Sequence, residues 1–351
     1  MNQLKTILLF ALIALFLQAS YGQEIQELEF KALDPEFIEL KKTLEEITST
    51  DDDRSIELSL EALDKFEDPY IRFDLMLWEL SVHYANLKQY KQCFDILKQG
   101  QQEDMFYFIR SGERAFPAYT PELEKLEGYD AFLEKNQALK DEAGKTSKAE
   151  FMIQLPDNYS ETNRYPLMLI LHGGGGSIPD IQYSYISEKL KSEFIVAYFQ
   201  GSIVRASELR SFEMEGWQPK IKQGYEDIVA KYAVDTSRVI IGGPSAGGYR
   251  SLILGLEHII PASGLLLSFP VYPRDSDSTV FIQSAQRGLK VAMLCGENDW
   301  AIQQQKKLGY LLDKYGIRNR FVVFPEEGHG FPENWPYYLD TSVDYLFSDD
   351  E

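Results

Sequence analysis

Arg238-Val239-Ile240-Ile241-Gly242-Gly243-Pro244-Ser245-Ala246-Gly247 decides how this chain is read. Its first half is an apolar run of the kind a buried strand carries. Its second half is a Gly-x-Ser-x-Gly turn, which lifts a serine out of the fold between a strand and a helix. A serine hydroxyl is a weak nucleophile until a base and an anion-stabilising site stand beside it, and such a turn presents it to both. Gly243 and Gly247 are the residues the turn demands, because a Cβ at either would collide with the opposing strand or helix. Gly and Ser are also the residues of ordinary turns, so the reading depends on what surrounds Ser245.

Upstream, Pro166-Leu167-Met168-Leu169-Ile170-Leu171 is a continuous apolar run, as expected of a strand covered on both faces. It ends in His172-Gly173-Gly174-Gly175-Gly176-Ser177. Glycines there let backbone N–H groups close on a developing negative charge. The run lacks both the Gly-Lys-Ser/Thr ending of a phosphate loop and the spaced glycines of a dinucleotide fingerprint. Downstream, the strand-like Leu289-Lys290-Val291-Ala292-Met293-Leu294-Cys295 opens into Gly296-Glu297-Asn298-Asp299-Trp300. Asp299 is the favoured acid and Glu297 its competitor, since a carboxylate a few residues beyond a strand end can reach back toward a base. Arg320-Phe321-Val322-Val323-Phe324-Pro325 is a further strand, followed by Glu326-Glu327-Gly328-His329-Gly330-Phe331. The chain has four histidines. His83 falls in a helical stretch, His172 before the glycine loop and His258 after the helix that follows Ser245. His329, between glycines at a strand end and beyond the acid, is the candidate base.

From about Lys148 to its end, the chain resembles the α/β-hydrolase superfamily, in particular secreted esterases and the dienelactone-hydrolase and prolyl-oligopeptidase-like catalytic domains. The resemblance rests on Leu171-His172-Gly173-Gly174, on Tyr232-Ala233-Val234-Asp235-Thr236-Ser237-Arg238-Val239, on Gly243-Pro244-Ser245-Ala246-Gly247-Gly248 and on Gly328-His329-Gly330-Phe331. These motifs are specific for the superfamily and do not select a member. The resemblance implies Ser245 as nucleophile, Asp299 as acid and His329 as base, in family order. It also implies an oxyanion site between the Ala246 N–H and that of Gly173 or Gly174, with no metal or organic cofactor. Pro244 departs from the pattern, which more often has a residue with a free N–H before the nucleophile. Proline suits an extended strand end, so the turn is expected to survive.

The expected fold class is α/β: a mostly parallel sheet with helices on both faces, preceded by an α-helical module. Strands are placed at Ala149 to Leu155, Pro166 to Leu171, Phe194 to Tyr198, Arg238 to Gly242, Gly264 to Phe269, Leu289 to Cys295 and Arg320 to Phe324. Helices such as Tyr225 to Tyr232 and Ile302 to Lys314 alternate with them. The expected division is a signal peptide over 1–22, a helical module over 23–144 and a catalytic domain over 145–351. Residues Met1 to Gly22 carry one early lysine, an apolar core from Ile7 to Leu17, and Ser20 and Gly22 near the cleavage point. That is the pattern of a secretory signal, too short to span a bilayer comfortably. The chain is therefore expected to be secreted or periplasmic, with no membrane association after cleavage.

In the helical stretch, apolar residues recur every three or four positions along Tyr70 to Leu87 and Tyr90 to Leu97, with further helices at Glu122 to Leu126 and Tyr129 to Leu139. Leu77, Leu80, Ser81, Tyr84, Tyr90, Cys93, Leu97 and Gly100 fall at spacings similar to one tetratricopeptide-type hairpin, so an ordinary bundle and a partner-binding repeat both stay open. The formal net charge of the 351 residues is −20, which disfavours nucleic acid as a partner. Cys93 and Cys295 are expected to be free buried thiols, because a domain of this size needs no staple. Asp51-Asp52-Asp53 reads as a helix start and not as metal ligands. Asn158-Tyr159-Ser160 matches a glycosylation acceptor. The loop from Gln200 to Gln218, with Phe212, Met214 and Trp217, is expected to line the substrate pocket, with Trp217 as the substrate-binding candidate, and equally fits a surface loop with its aromatics folded inward.

Three functions are compatible with this pattern: a secreted serine hydrolase of small-molecule carboxylic esters, a serine peptidase of the prolyl-oligopeptidase-like type, and an inactive hydrolase-fold scaffold whose helical module recruits a protein partner. Ester hydrolysis leads. An amide leaving group must be protonated as it departs and usually needs extended recognition, which in the oligopeptidases comes from a propeller that a helical segment cannot supply.

Overall fold

Alternating burial of apolar side chains organises the chain around one central sheet. The computed structural model describes residues 25–47, 50–272 and 276–348. The expected signal segment lies outside them. The strands are β1 (Gln26–Leu28), β2 (Glu150–Gln154), β3 (Tyr165–Leu171), β4 (Ile195–Gln200), β5 (Ile203–Ala206), β6 (Leu209–Ser211), β7 (Val234–Pro244), β8 (Gly264–Ser268), β9 (Lys290–Gly296) and β10 (Arg318–Phe324). Eight of them form a sheet in the order β1-β2-β4-β3-β7-β8-β9-β10, and β5 and β6 form a separate hairpin. Every neighbouring pair in the large sheet is parallel except β2 with β4.

The central strands read as unbroken apolar runs because both of their faces are covered. Leu167, Leu169, Leu171, Ile241, Leu265 and Val291 point into one core layer. Met168, Ile170, Ile240, Leu266 and Ala292 point into the other. Helices Trp217–Lys231, Ala246–Leu256, Ser278–Gln286 and Ile302–Lys314 cover the first face. Helices Ile178–Ser184, Glu188–Glu193 and Trp335–Phe347 cover the second. The fold is the expected α/β class, a mostly parallel sheet with helices on both faces, with the C-terminal ends of β3, β7, β8, β9 and β10 along one edge.

The helical segment has its own core, built on Phe37, Phe73, Met76, Leu80, Phe94 and Phe132. Asp51 caps the helix Asp52–Lys65 by accepting from the Arg54 N–H at 2.9 Å. Within this core Lys41 is paired with Asp74 at 3.0 Å and Glu79 at 2.7 Å. The stretch 70–87 is not one α-helix: Pro69–Asp74 and Ser81–Asn86 flank a π-helical turn, Leu75–Leu80.

Two features lie outside the expected elements. β1 leaves the helical segment and adds to the edge of the sheet beside β2, with Glu27 opposite Phe151; a three-residue strand is too short to show a period in sequence. The 200–218 stretch folds into the β5–β6 hairpin, whose Ala206 and Leu209 enter the helical core. Ser207 seals this junction: its N–H donates to the Phe106 carbonyl at 3.0 Å, and its hydroxyl accepts from the Phe106 N–H at 2.8 Å. Cys93 and Cys295 are both buried and unbridged, and burial pushes the Cys93 thiol up to about 12.

Candidate active site

Pro244 ends a strand held between β3 and β8, and Ser245 follows at φ 53° and ψ −117°. That is a strained conformation for a residue with a side chain, and strained residues of this kind cluster at functional sites. The surroundings enforce it. A Cβ on Gly243 would stand 2.1 Å from the Leu171 carbonyl oxygen, and one on Gly247 would meet the same oxygen at 2.1 Å. Both glycines are therefore fixed by the close passage of β3. The Ser245 N–H donates to the Ser268 carbonyl at 2.9 Å, toward β8. Successive N–H groups along a strand alternate sides, so Pro244 would direct its missing donor toward β3. The β3–β7 ladder has already ended there, at Ile170 opposite Gly242, and the proline costs no ladder bond.

The loops after β9 and β10 bring the other two side chains to Ser245. His329 Nε2 lies 2.9 Å from Ser245 Oγ, and His329 Nδ1 lies 2.8 Å from Asp299 Oδ1. The acid loop and the base loop pass so closely that a Cβ on Gly296 would stand 2.2 Å from the Gly328 carbonyl oxygen. Asp299 is buried, and its Oδ1 also accepts from the Ala301 N–H at 2.7 Å. Its Oδ2 accepts from Gln305 Nε2 at 2.7 Å. Glu297, the competing acid, is exposed and turned away, accepting from the Glu326 N–H at 3.3 Å.

The other histidines are elsewhere. His172 is fully buried; its Nδ1–H donates to the Gly173 carbonyl at 2.8 Å and its Nε2 accepts from the Gly201 N–H at 3.1 Å. Burial, aided by the charges of Arg250 and Arg210, pulls its imidazole down to about 3, so it is neutral and structural. His83 lies among Asp52 and Glu79 in the helical core. His258 follows the far end of the 11-residue helix Ala246–Leu256, about 16 Å along its axis.

The glycine loop lies against the serine turn. A Cβ built on Gly173 falls 3.8 Å from Ser245 Cβ, and one on Gly174 falls 4.0 Å from Ala246 Cβ. Ala246 opens its helix, so its N–H has no partner within that helix. Trp217, expected to line the pocket, is instead a core residue at the start of the helix Trp217–Lys231. Its apolar ring finds more contact inside than on an open loop. The Arg250 guanidinium spans Trp217 and Phe212, at 5.6 and 5.1 Å from their rings, and its Nη1 donates to the Ala246 carbonyl at 3.2 Å. Trp217 thus supports the serine turn from beneath.

Residues outside the sequence reading flank the base. The Trp300 ring is 68% exposed, with its centroid 4.9 Å from that of His329. Phe269 meets His329 edge-on at 4.9 Å. Trp300 directly follows the acid, which was the available signal; Phe269 and Gln305 offered none, because their roles depend on loops distant in sequence.

Fold and site together give a mostly parallel α/β architecture with a Ser-His-Asp constellation at the C-terminal edge of its sheet. No family model matches the chain, and no curated protein matches it. Among solved structures it is similar to an uncharacterized protein from Bacillus cereus ATCC 10987, with a TM-score of 0.51 and 18% identity over 89% of this chain and 99% of that one. That likeness concerns the fold. A thermophilic esterase, Est2 of Thermogutta terrifontis with propionate bound, gives a TM-score of 0.46 at 16% identity, over 58% of this chain and 92% of its own. The same esterase phosphorylated by paraoxon gives 0.46 at 16% identity, over 58% and 92%.

Proposed function

We propose that this protein is a serine hydrolase that cleaves carboxylic esters through an acyl-enzyme. The observation that carries this reading is the relay from Ser245 Oγ through His329, 2.9 Å on one side and 2.8 Å to Asp299 on the other. Ser245 donates its proton to His329 Nε2 as its Oγ attacks the substrate carbonyl. Asp299, through the His329 Nδ1–H, holds the imidazole in the tautomer that leaves Nε2 free and stabilises the imidazolium that forms. The oxyanion is received by the Ala246 N–H and by Gly173 or Gly174. His329 then gives its proton to the leaving alkoxide, the C–O bond breaks, and the acyl group stays on Ser245. Water attacks the acyl ester as His329 takes its proton, the bond to Ser245 Oγ breaks as that proton is returned to Oγ, and the carboxylic acid departs.

Esters are favoured over amides because an amide leaving group must be protonated as it departs and usually needs extended recognition. The helical segment is packed against the β5–β6 hairpin and built of helices, so it offers no propeller chamber for an extended peptide. We assign the chain to the secreted or periplasmic space on its first 22 residues, and the helical segment to support of the hydrolase sheet. A panel of short- to medium-chain acyl esters, feruloyl and acetylated-sugar esters, and aminoacyl or dipeptidyl amides tests the reading. Ester turnover with kcat/KM above that of every amide is expected. Efficient cleavage of an amide at or above the best ester would replace it with the peptidase reading.

A further inference from the structure

We infer that Gln305 is a positioning residue for the acid of the relay, an inference that rests on the serine-hydrolase reading above. Gln305 is fully buried on the first turns of the helix Ile302–Lys314, six residues beyond Asp299. Its Nε2 donates twice, to Asp299 Oδ2 at 2.7 Å and to the Pro270 carbonyl at 3.2 Å. Both partners are acceptors, so the amide can lie one way round: reversed, its oxygen would face a carboxylate and a carbonyl. In this orientation Gln305 Oε1 is left buried without a partner. An apolar residue of the same size would remove that orphan oxygen but would leave Asp299 Oδ2 and the Pro270 carbonyl without this donor. The amide answers the carboxylate.

The second contact closes a ring. Pro270 adjoins Val271, whose N–H donates to the Ser245 carbonyl at 3.3 Å. Ser245 Oγ meets His329, His329 meets Asp299, Asp299 meets Gln305, and Gln305 returns through Pro270 and Val271 to the backbone of Ser245. Gln305 therefore fixes Asp299 by the oxygen that does not face His329, and ties the acid to the turn that carries the nucleophile. Without it, Oδ2 is buried with no donor and the carboxylate can rotate away from the imidazole.

The test compares wild type with Gln305→Leu and Gln305→Glu, each checked for folding by circular dichroism and thermal unfolding. The readouts are ester kinetics from pH 5.5 to 9 and the low-field proton resonance of the His329 Nδ1–H. Gln305→Leu is expected to lose about tenfold to a hundredfold in kcat, with KM little changed and the ratio to wild type flat with pH. In Gln305→Glu one proton shared between the two carboxyl groups replaces the amide donor, so activity relative to wild type is expected to be highest at the acid end. It should fall as that proton is lost with rising pH, because two carboxylates about 3 Å apart resist joint ionisation. The His329 resonance should move or broaden in both variants. Folded variants with wild-type kcat at every pH and an unchanged resonance overturn the assignment of Gln305 alone. An unreactive wild type overturns the serine-hydrolase reading and this one with it.

Discussion

His172 and Phe212 stack face to face, their ring centroids 4.4 Å apart and their planes inclined by 20°. The contact fastens the hairpin that follows β4 to the start of the glycine loop, and the imidazole in it is neutral because its Nε2 accepts from the Gly201 N–H at 3.1 Å. Burial holds His172 at about 3 in the folded protein, against an ordinary value near 6.5. The unfolded chain therefore binds the extra proton between those values, and this contribution to stability is complete above about pH 6.5 and lost as pH falls toward 3. Urea unfolding at pH 7, 5.5 and 4.5 should show the decline, and a folded His172→Asn variant should show a shallower one.

Glu208, near the tip of the same hairpin, has the opposite sign. Burial pushes its carboxyl up to about 7. The native state then binds more protons than the unfolded chain between about pH 4 and 7, so the ionised side chain weakens the fold as pH rises through that window. Glu208→Gln should match wild type near pH 4 and exceed it in unfolding midpoint at pH 8. Equal midpoints at pH 8 would remove Glu208 as a source of strain.

Gly247→Ala places a Cβ 2.1 Å from the Leu171 carbonyl oxygen and 2.6 Å from that of His172. Neither atom is a flexible side-chain end, so the turn must open. The variant should lose more than a hundredfold in kcat/KM and unfold at lower temperature, while Gly144→Ala, at the end of the helix Tyr129–Gly144 with nothing near its Cβ and no left-handed φ, serves as a control for unrelated glycine effects.

Trp300 leans on His329, the group that in the proposed mechanism hands a proton to the departing alcohol. Trp300→Ala should raise KM about threefold to tenfold for esters of bulky alcohols and leave small methyl esters nearly unaffected. Equal effects across alcohols would place the ring outside the leaving-group site.

The relay was legible because each member sits at the end of a strand. Apolar runs fix the strand ends, and Ser245, Asp299 and His329 lie within a few residues of them. The acid was separable from Glu297 by its distance from β9, and the structure brings Asp299 and not Glu297 to the base. What sequence could not supply was contact between loops far apart in the chain. β1 carries three residues and no period, so its place beside β2 was invisible. Trp217 reads as a loop aromatic facing a pocket, yet it begins a helix and is buried, because an indole gains more from the core than from a rim. Gln305 is one polar residue in an amphipathic helix, and its meaning comes from Pro270, 35 residues earlier.

The central claim is that Ser245 is a reactive nucleophile. Incubation with a fluorophosphonate probe, followed by mass spectrometry of wild type, Ser245→Ala and His329→Ala, tests it most directly. A single adduct on Ser245 of the wild type, absent from Ser245→Ala and formed far more slowly in His329→Ala, is the expected result. A folded wild type that takes up no probe, or an adduct that persists in Ser245→Ala, would contradict it.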